Sequence, residues 1–345
     1  MLSNRRSRLS LVVLIVFIKC TALTSEKPGG IAFISNEDSN TITLIDLSSL
    51  TAIDSIPVGS RPRGLKISPD NKLLYVALSG SPKCPPSMAQ EECDKQVTDK
   101  SKDGIAEIEI KSRKILRVLP GGSDPEQFDI SQDGNYIFVS NEDAGLLSIV
   151  DVKLGSIIKQ VPVGIEPEGV RIAPDQSVIL VSNESNSSVT VVDAYSYDSI
   201  GEISVRDRPR DIIFTKDGSL AYVSNELDHS ISVANVKERK VLATIELSKK
   251  ALPMGLQLDE ERNILYVSTG RGGSIIMLNT KVKKVIKEVD VGRRPWGLAL
   301  TVDKLFLVTA NGPSNDITVI NAGSGAIVKK IPAGRSPWGV VIAPN

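Results

Sequence analysis

The sequence predicts an all-β fold, a seven-bladed β-propeller of four-stranded antiparallel blades closed by pairing N-terminal strands with the C-terminal strand. Three observations carry that expectation. A phrase built on Gly, Pro and a renewed apolar alternation recurs around Pro62, Pro125, Pro167, Pro209, Pro253, Pro295 and Pro337, at spacings of 63, 42, 42, 44, 42 and 42 residues. A period in the forties is the mark of a repeat architecture. Each period divides into four short runs rich in β-branched residues and bounded by turn residues, which reads as a four-stranded meander. Three such runs precede the first phrase and one follows the last, so the chain ends complete one shared blade and remove the exposed strand edges of an open array.

Taken in order, the chain opens with Arg5, Arg6 and Arg8 ahead of an apolar run from Leu9 to Ile18. That is the pattern of a secretory signal, and the run is too short to span a bilayer. Residues 1–24 are therefore expected as the signal and 25–345 as a single propeller, exported to the periplasm or secreted. Lipidation at Cys20 is the weaker reading, because Lys19 stands where small residues are expected. Ile31–Asn36, Thr41–Asp46 and Ala52–Pro57 supply strands b, c and d of the first blade. The long first interval carries an insertion at about 80–101 that holds Cys84 and Cys93. In an exported chain such a pair is expected as a disulfide. Zinc would need two further ligands, and His229 is the only histidine.

The period after Pro167 shows the strands most clearly: Gly169–Ile172, Val178–Asn183, Ser188–Asp193 and Ser199–Val205. Asp70-Asn71, Asp133-Gly134, Asp175-Gln176 and Asp217-Gly218 supply hairpin tips between strands a and b. Because strands alternate in direction, the d-to-a connections with their prolines and the b-to-c connections emerge on one face, at the channel mouth. The b-to-c connections begin with the triplets Ser35-Asn36-Glu37, Ser140-Asn141-Glu142, Ser182-Asn183-Glu184 and Ser224-Asn225-Glu226. Ser and Asn side chains have a structural use in bonding turn backbone; the repeated Glu has none.

Lys+Arg and Asp+Glu number 41 each, leaving no one-signed field of the kind a nucleic-acid binder uses. The expectation is a monomer with no nucleic-acid partner and no membrane span, binding a protein partner or a small-molecule ligand.

The residues flanking proline sort around the expected mouth. Arg61 and Arg63 are followed by Asp124 and Glu126, Glu166 and Glu168, then Arg208 and Arg210; Leu252 and Met254, Arg294 and Trp296, and Ser336 and Trp338 complete the ring. An acidic half-ring bracketed by arginines thus faces an apolar and aromatic arc, which suits an asymmetric site. The plainer use of Arg63, Glu126, Glu168 and Arg210 is as salt bridges between neighbouring blades, and exposed pairs of this kind contribute only about 0–1 kcal/mol each. Trp296 and Trp338 share parity with apolar positions of their strands and are expected to cap the stripes between blades, with partial exposure at the rim. Asp124, Glu126, Glu166 and Glu168 are the candidates for a calcium site.

The strand phrases Tyr222-Val223-Ser224-Asn225, Phe138-Val139-Ser140-Asn141 and Val308-Thr309-Ala310-Asn311 resemble the YVTN-type β-propeller repeat family. Arg61-Pro62-Arg63-Gly64, Asp124-Pro125-Glu126, Glu166-Pro167-Glu168-Gly169, Arg208-Pro209-Arg210 and Pro337-Trp338-Gly339 are similar to exported seven-repeat proteins associated with PQQ-dependent alcohol catabolism. The resemblance implies an exported seven-bladed propeller and supplies no catalytic residues. No Cys-x-x-Cys-His motif for haem is present, and a triad is poorly served by one histidine. The expected function is therefore a non-catalytic binding or scaffold protein whose mouth face takes a partner or ligand, accessory to PQQ-dependent oxidation. The alternatives are a metal-assisted, lactonase-like hydrolase at the same mouth and a cell-surface adhesion or layer protein.

Overall fold

In the computed structural model, which describes residues 29–83, 90–93 and 95–344, the alternating runs form seven four-stranded antiparallel sheets. The expected signal lies outside the described residues, and so do Cys84 and the side chain of Cys93, on which the expected disulfide rests. Blade 1 is the shared one: Pro337–Ala343 supplies its inner strand, followed outward by Ile31–Asn36, Thr41–Asp46 and Thr51–Pro57. Ile31 pairs with Ala343 and Ile34 with Val340, so the described chain is closed as the strand count requires.

The inner strands of blades 2 to 7 are Leu65–Ile67, Pro125–Ile130, Pro167–Ile172, Pro209–Phe214, Leu256–Asp259 and Pro295–Leu300. Side chains alternate across each strand, so every middle strand feeds two interfaces. In blade 1, Ala32 and Ile34 pack with Phe306 and Val308 of blade 7, while Phe33 packs with Leu74 and Val76 of blade 2. The clusters repeat around the ring between successive blades. Among the described residues, no helix is long and apolar enough to cross a membrane.

Two sequence features explain how the blades meet at the axis. The glycine two residues after proline admits the next inner strand: a Cβ on Gly339 would stand 2.7 Å from the Arg63 carbonyl oxygen, and one on Gly64 would stand 2.8 Å from that of Glu126. The triplet serines then fasten the same carbonyls. Ser35 Oγ donates to Arg63 O at 2.7 Å, Ser140 Oγ to Glu168 O at 2.6 Å, and Ser224 Oγ to Met254 O at 2.6 Å. These serines had been expected to bond turn backbone; they bond the next blade instead. The asparagines tie strand b to strand c, as Asn183 Nδ2 does to Thr190 Oγ1 at 2.9 Å.

Candidate functional site

The site grows out of the backbone of the proline phrase. Arg61, Asp124, Glu166, Arg208, Arg294 and Ser336 all precede proline and all adopt positive φ, between 43° and 57°. Proline disfavours the right-handed helical region for the residue before it, and the left-handed region costs a non-glycine residue about 1–2 kcal/mol. Hydrogen bonds hold the strained turns in place: Glu184 N donates to Glu166 O at 3.0 Å, and Glu226 N to Arg208 O at 2.8 Å. Positive φ also occurs at the hairpin tips of the opposite face, as at Asn71 and Gln176; at the mouth it falls on the residue before proline.

After each of Pro125, Pro167, Pro209 and Pro295 the register slips before pairing resumes three residues later. Such a bulge bends the strand and re-aims its side chains. Glu126, Glu168, Arg210 and Trp296 lie in these slips. The backbone thereby explains why residues on both sides of proline reach one cavity.

That cavity is about 760 Å³ and is lined by Arg61, Arg63, Asp124, Glu126, Glu166, Arg208, Arg210, Arg294, Trp296, Ser336 and Trp338, so all the expected mouth residues but Glu168, Leu252 and Met254 meet there. Glu168 lines a smaller space of about 100 Å³ in the channel beneath, which shares Arg210, Trp296 and Trp338 with the mouth. The sequence reading had assigned no site role to Glu37, Glu142 and Glu226, which also line the mouth, or to Glu184, which reaches its arginines. Their signal was the recurring triplet. Lys83 and Arg271 carry no repeated signal and are placed by the fold alone.

The charges are organised as two buried clusters. Arg63 of blade 2 crosses to blade 3, donating to Asp124 Oδ1 at 2.6 Å and to Glu126, with Glu142 Oε2 at 3.4 Å. Arg210 of blade 5 meets Glu168 and Glu184 of blade 4, and Glu226 Oε2 of its own blade at 2.8 Å. Blade fastening is thus observed, but in a different dielectric from that expected: the Arg63 side chain is 3% exposed and that of Glu168 4%. Breaking a buried pair leaves an uncompensated charge and costs far more than breaking a surface pair.

One guanidinium faces three carboxylates in the Arg63 cluster. Burial, with the Glu142 charge beside it, pushes Glu126 well above the carboxylate range despite Arg63. Burial opposes the charge on Glu142 too, but a hydrogen bond from Glu126 and the Arg63 charge hold it down to about 2. The two proton affinities are thereby pushed apart, Glu126 upward and Glu142 downward. Burial also pushes Glu168 up to about 7, against the pull of Arg210.

Trp296 and Trp338 stack with ring centroids 5.2 Å apart. Trp338 is buried and Trp296 half-buried, so only Trp296 has the partial rim exposure expected of both. Arg294 stands 4.7 Å and Arg210 5.5 Å from the centroid of Trp296.

The four carboxylates proposed for calcium are divided among other partners. Asp124 and Glu126 serve Arg63, Glu168 serves Arg210, and exposed Glu166 accepts from Ser185 Oγ. Among the described residues, no group of three or more His, Cys, Asp or Glu side chains has the arrangement to hold a metal ion. As placed here, those four carboxylates do not converge on one point.

Comparison with known proteins adds a direction. Residues 196–331 match a family model described as lactonase, seven-bladed β-propeller. No curated protein matches the sequence. Among solved structures, hydrazine synthase of Kuenenia stuttgartiensis superposes with a TM-score of 0.73 at 19% identity, over 89% of this chain and 99% of that one. The periplasmic gluconolactonase PpgL of Pseudomonas aeruginosa gives 0.73 at 17% identity, over 91% and 99%. A Bacteroides uniformis protein provisionally designated a 6-phosphogluconolactonase gives 0.73 at 16% identity, over 91% and 99%. At these identities the structures show the fold alone, and the fold hosts unlike chemistries.

The lactonase model corrects the functional expectation. A non-catalytic binding or scaffold protein is not what the match supports; it supports the hydrolase alternative. Histidine and a metal are the signals of hydrolysis that a sequence displays, whereas the proton affinities of Glu126 and Glu142 are pushed apart only by burial and by their contact in the fold.

Proposed function

We propose that this propeller hydrolyses a cyclic ester, a lactone, at the mouth of its channel. The observation that carries the reading is the Glu126–Glu142 carboxyl pair, both lining the cavity and both bonded to Arg63, with the proton affinity of Glu126 pushed up and that of Glu142 held down. The lactonase match over residues 196–331 supports the choice of bond.

The chemistry follows from two carboxyls of unequal proton affinity. Ionised Glu142 accepts a proton from water as the water oxygen bonds to the lactone carbonyl carbon. Glu126 donates its proton to the carbonyl oxygen, giving a neutral tetrahedral intermediate. On collapse the ring C–O bond breaks, Glu142 returns its proton to the departing ring oxygen, and Glu126 recovers the hydroxyl proton. One lactone and one water become one hydroxy acid, and the pair ends as it began. Arg63, bonded to both carboxyls, fixes their spacing.

The narrower kinship with the YVTN-type repeat, and export to the periplasm or beyond, belong to this proposal and are supported by the strand phrases and the N-terminal apolar run. The test is release of hydroxy acid from a panel of aldonolactones, followed by pH-stat against the spontaneous rate. Hydrolysis that falls on Glu126→Gln or Glu142→Gln supports the reading, and a wild-type rate equal to buffer on every lactone overturns it.

A further inference from the structure

Building on the lactonase reading, we infer that Arg294 binds a carboxylate carried by the substrate, so that the preferred lactone derives from a dicarboxylic hydroxy acid. The other cations at the mouth are already matched. Arg61 and Lys83 take Glu37 at 2.9 and 2.8 Å, Arg208 takes Glu184 at 2.8 Å, and Arg271 takes Glu226 at 3.0 Å. Arg63 and Arg210 each hold several carboxylates. Among the described residues, the Arg294 guanidinium has neither an ion pair nor a hydrogen-bond acceptor. It lies over the Trp296 ring, 4.7 Å from the centroid.

An indole offers no acceptor, so the guanidinium N–H groups remain without acceptors in the cavity wall. Arg294 is half-buried, and burial pulls its pKa down, as expected of a cation stripped of water without a full counter-charge. Its positive φ of 53° and the bond from Gly312 N to its carbonyl at 3.2 Å fix the backbone that presents it. An anion bound here restores the missing partner.

The surroundings choose among anions. A planar guanidinium fork matches a carboxylate in a bidentate bond. A phosphate monoester brings close to two charges and meets only one cation without an ion pair, since the fields of Glu37 and Glu226 oppose those of Arg210 and Arg271 at the same group. The singly charged carboxylate is therefore favoured. Arg294 and Trp296 also lie within the segment that matches the lactonase model.

The experiment compares three probes: glucarolactone, which bears a carboxylate, neutral gluconolactone, and the phosphorylated gluconolactone. Wild-type kcat/KM is expected to be about tenfold or more higher for glucarolactone than for gluconolactone. Arg294→Gln is expected to erase that preference through KM, and Arg294→Lys to restore part of it. Equal rates on the charged and neutral lactones, an equal loss on both in Arg294→Gln, or a preference for the phosphorylated lactone overturns the inference and leaves hydrolysis standing. If no lactone is hydrolysed, the reaction reading falls, and calorimetric titration of the dicarboxylate glucarate still decides the site. Binding lost in Arg294→Gln at unchanged Tm supports the carboxylate site, and absence of binding to wild type refutes it.

Discussion

Ser182 Oγ donates to the carbonyl oxygen of Arg210 at 2.5 Å, tying blade 4 to blade 5 at the residue whose guanidinium returns across the same boundary to Glu168. One hydroxyl thus positions both the backbone and, through it, a charge of the channel neck. Ser182 Oγ also accepts from Gly169 N at 2.8 Å. Ser182→Ala leaves a buried carbonyl and a buried N–H without partners, and is expected to cost about 1–3 kcal/mol in urea unfolding. A surface serine such as Ser196 is expected to change stability by less than about 0.5 kcal/mol.

Arg63 is the sole cation bonded to both Asp124 and Glu126 among the described residues. Arg63→Met leaves the charges of Asp124 and Glu142 without that guanidinium and is expected to cost about 3–5 kcal/mol near neutral pH. The loss is expected to shrink as pH falls, because protonating the orphaned carboxyls removes the charge that burial penalises. Melting temperature from pH 4 to pH 8 checks this; a deficit independent of pH speaks for lost packing instead.

Glu168 carries a pH signature of its own. Its folded value is raised to about 7 from an ordinary 4.5, so the folded state holds a proton the unfolded state has released. The associated stability is present below pH 4.5 and is lost as pH rises through about 7. A shift of that size corresponds to at most about 3 kcal/mol. Glu168→Gln, which cannot titrate, is expected to flatten the decline between pH 5 and pH 8 seen in wild type. An identical profile in both proteins contradicts the assignment.

Closure makes a prediction about the ring as a whole. Pro337–Ala343 covers the edge of Ile31–Asn36, pairing Ala32 with Ile342 and Phe33 with Val341. Removing the chain from Pro337 onward exposes that strand and opens the apolar layer shared by Val340, Ile34 and Val308. The truncated chain is expected to aggregate or self-associate by edge pairing, seen by size-exclusion chromatography. A soluble monomer with wild-type Tm counts against closure as a source of stability.

The fold was readable because its physics is local and repeated. The period brought seven strand sets to view, and the uneven ends at Ile31 and Ala343 announced closure. The mouth was readable as far as proline marked it, through Arg61, Glu126, Arg210 and Trp296. What the sequence hid is relational. Nothing near Glu142 in the chain says that it stands beside Glu126, since the strand pairing of blade 3 brings them together. Nothing near Arg63 says that its partners lie some sixty residues away in the next blade and are buried with it. Burial turned pairs expected to be weak and solvated into a proton-holding cluster, and so moved the functional reading from docking to acid–base chemistry.

Glu126→Gln addresses the central claim most directly, because a neutral amide replaces a carboxyl whose charged form burial disfavours, and the fold has little reason to respond. Lactone hydrolysis by the wild type is expected to exceed the buffer rate, and the variant to lose about 10²–10⁴-fold in kcat at unchanged Tm. A variant that hydrolyses lactone as fast as wild type would contradict the account.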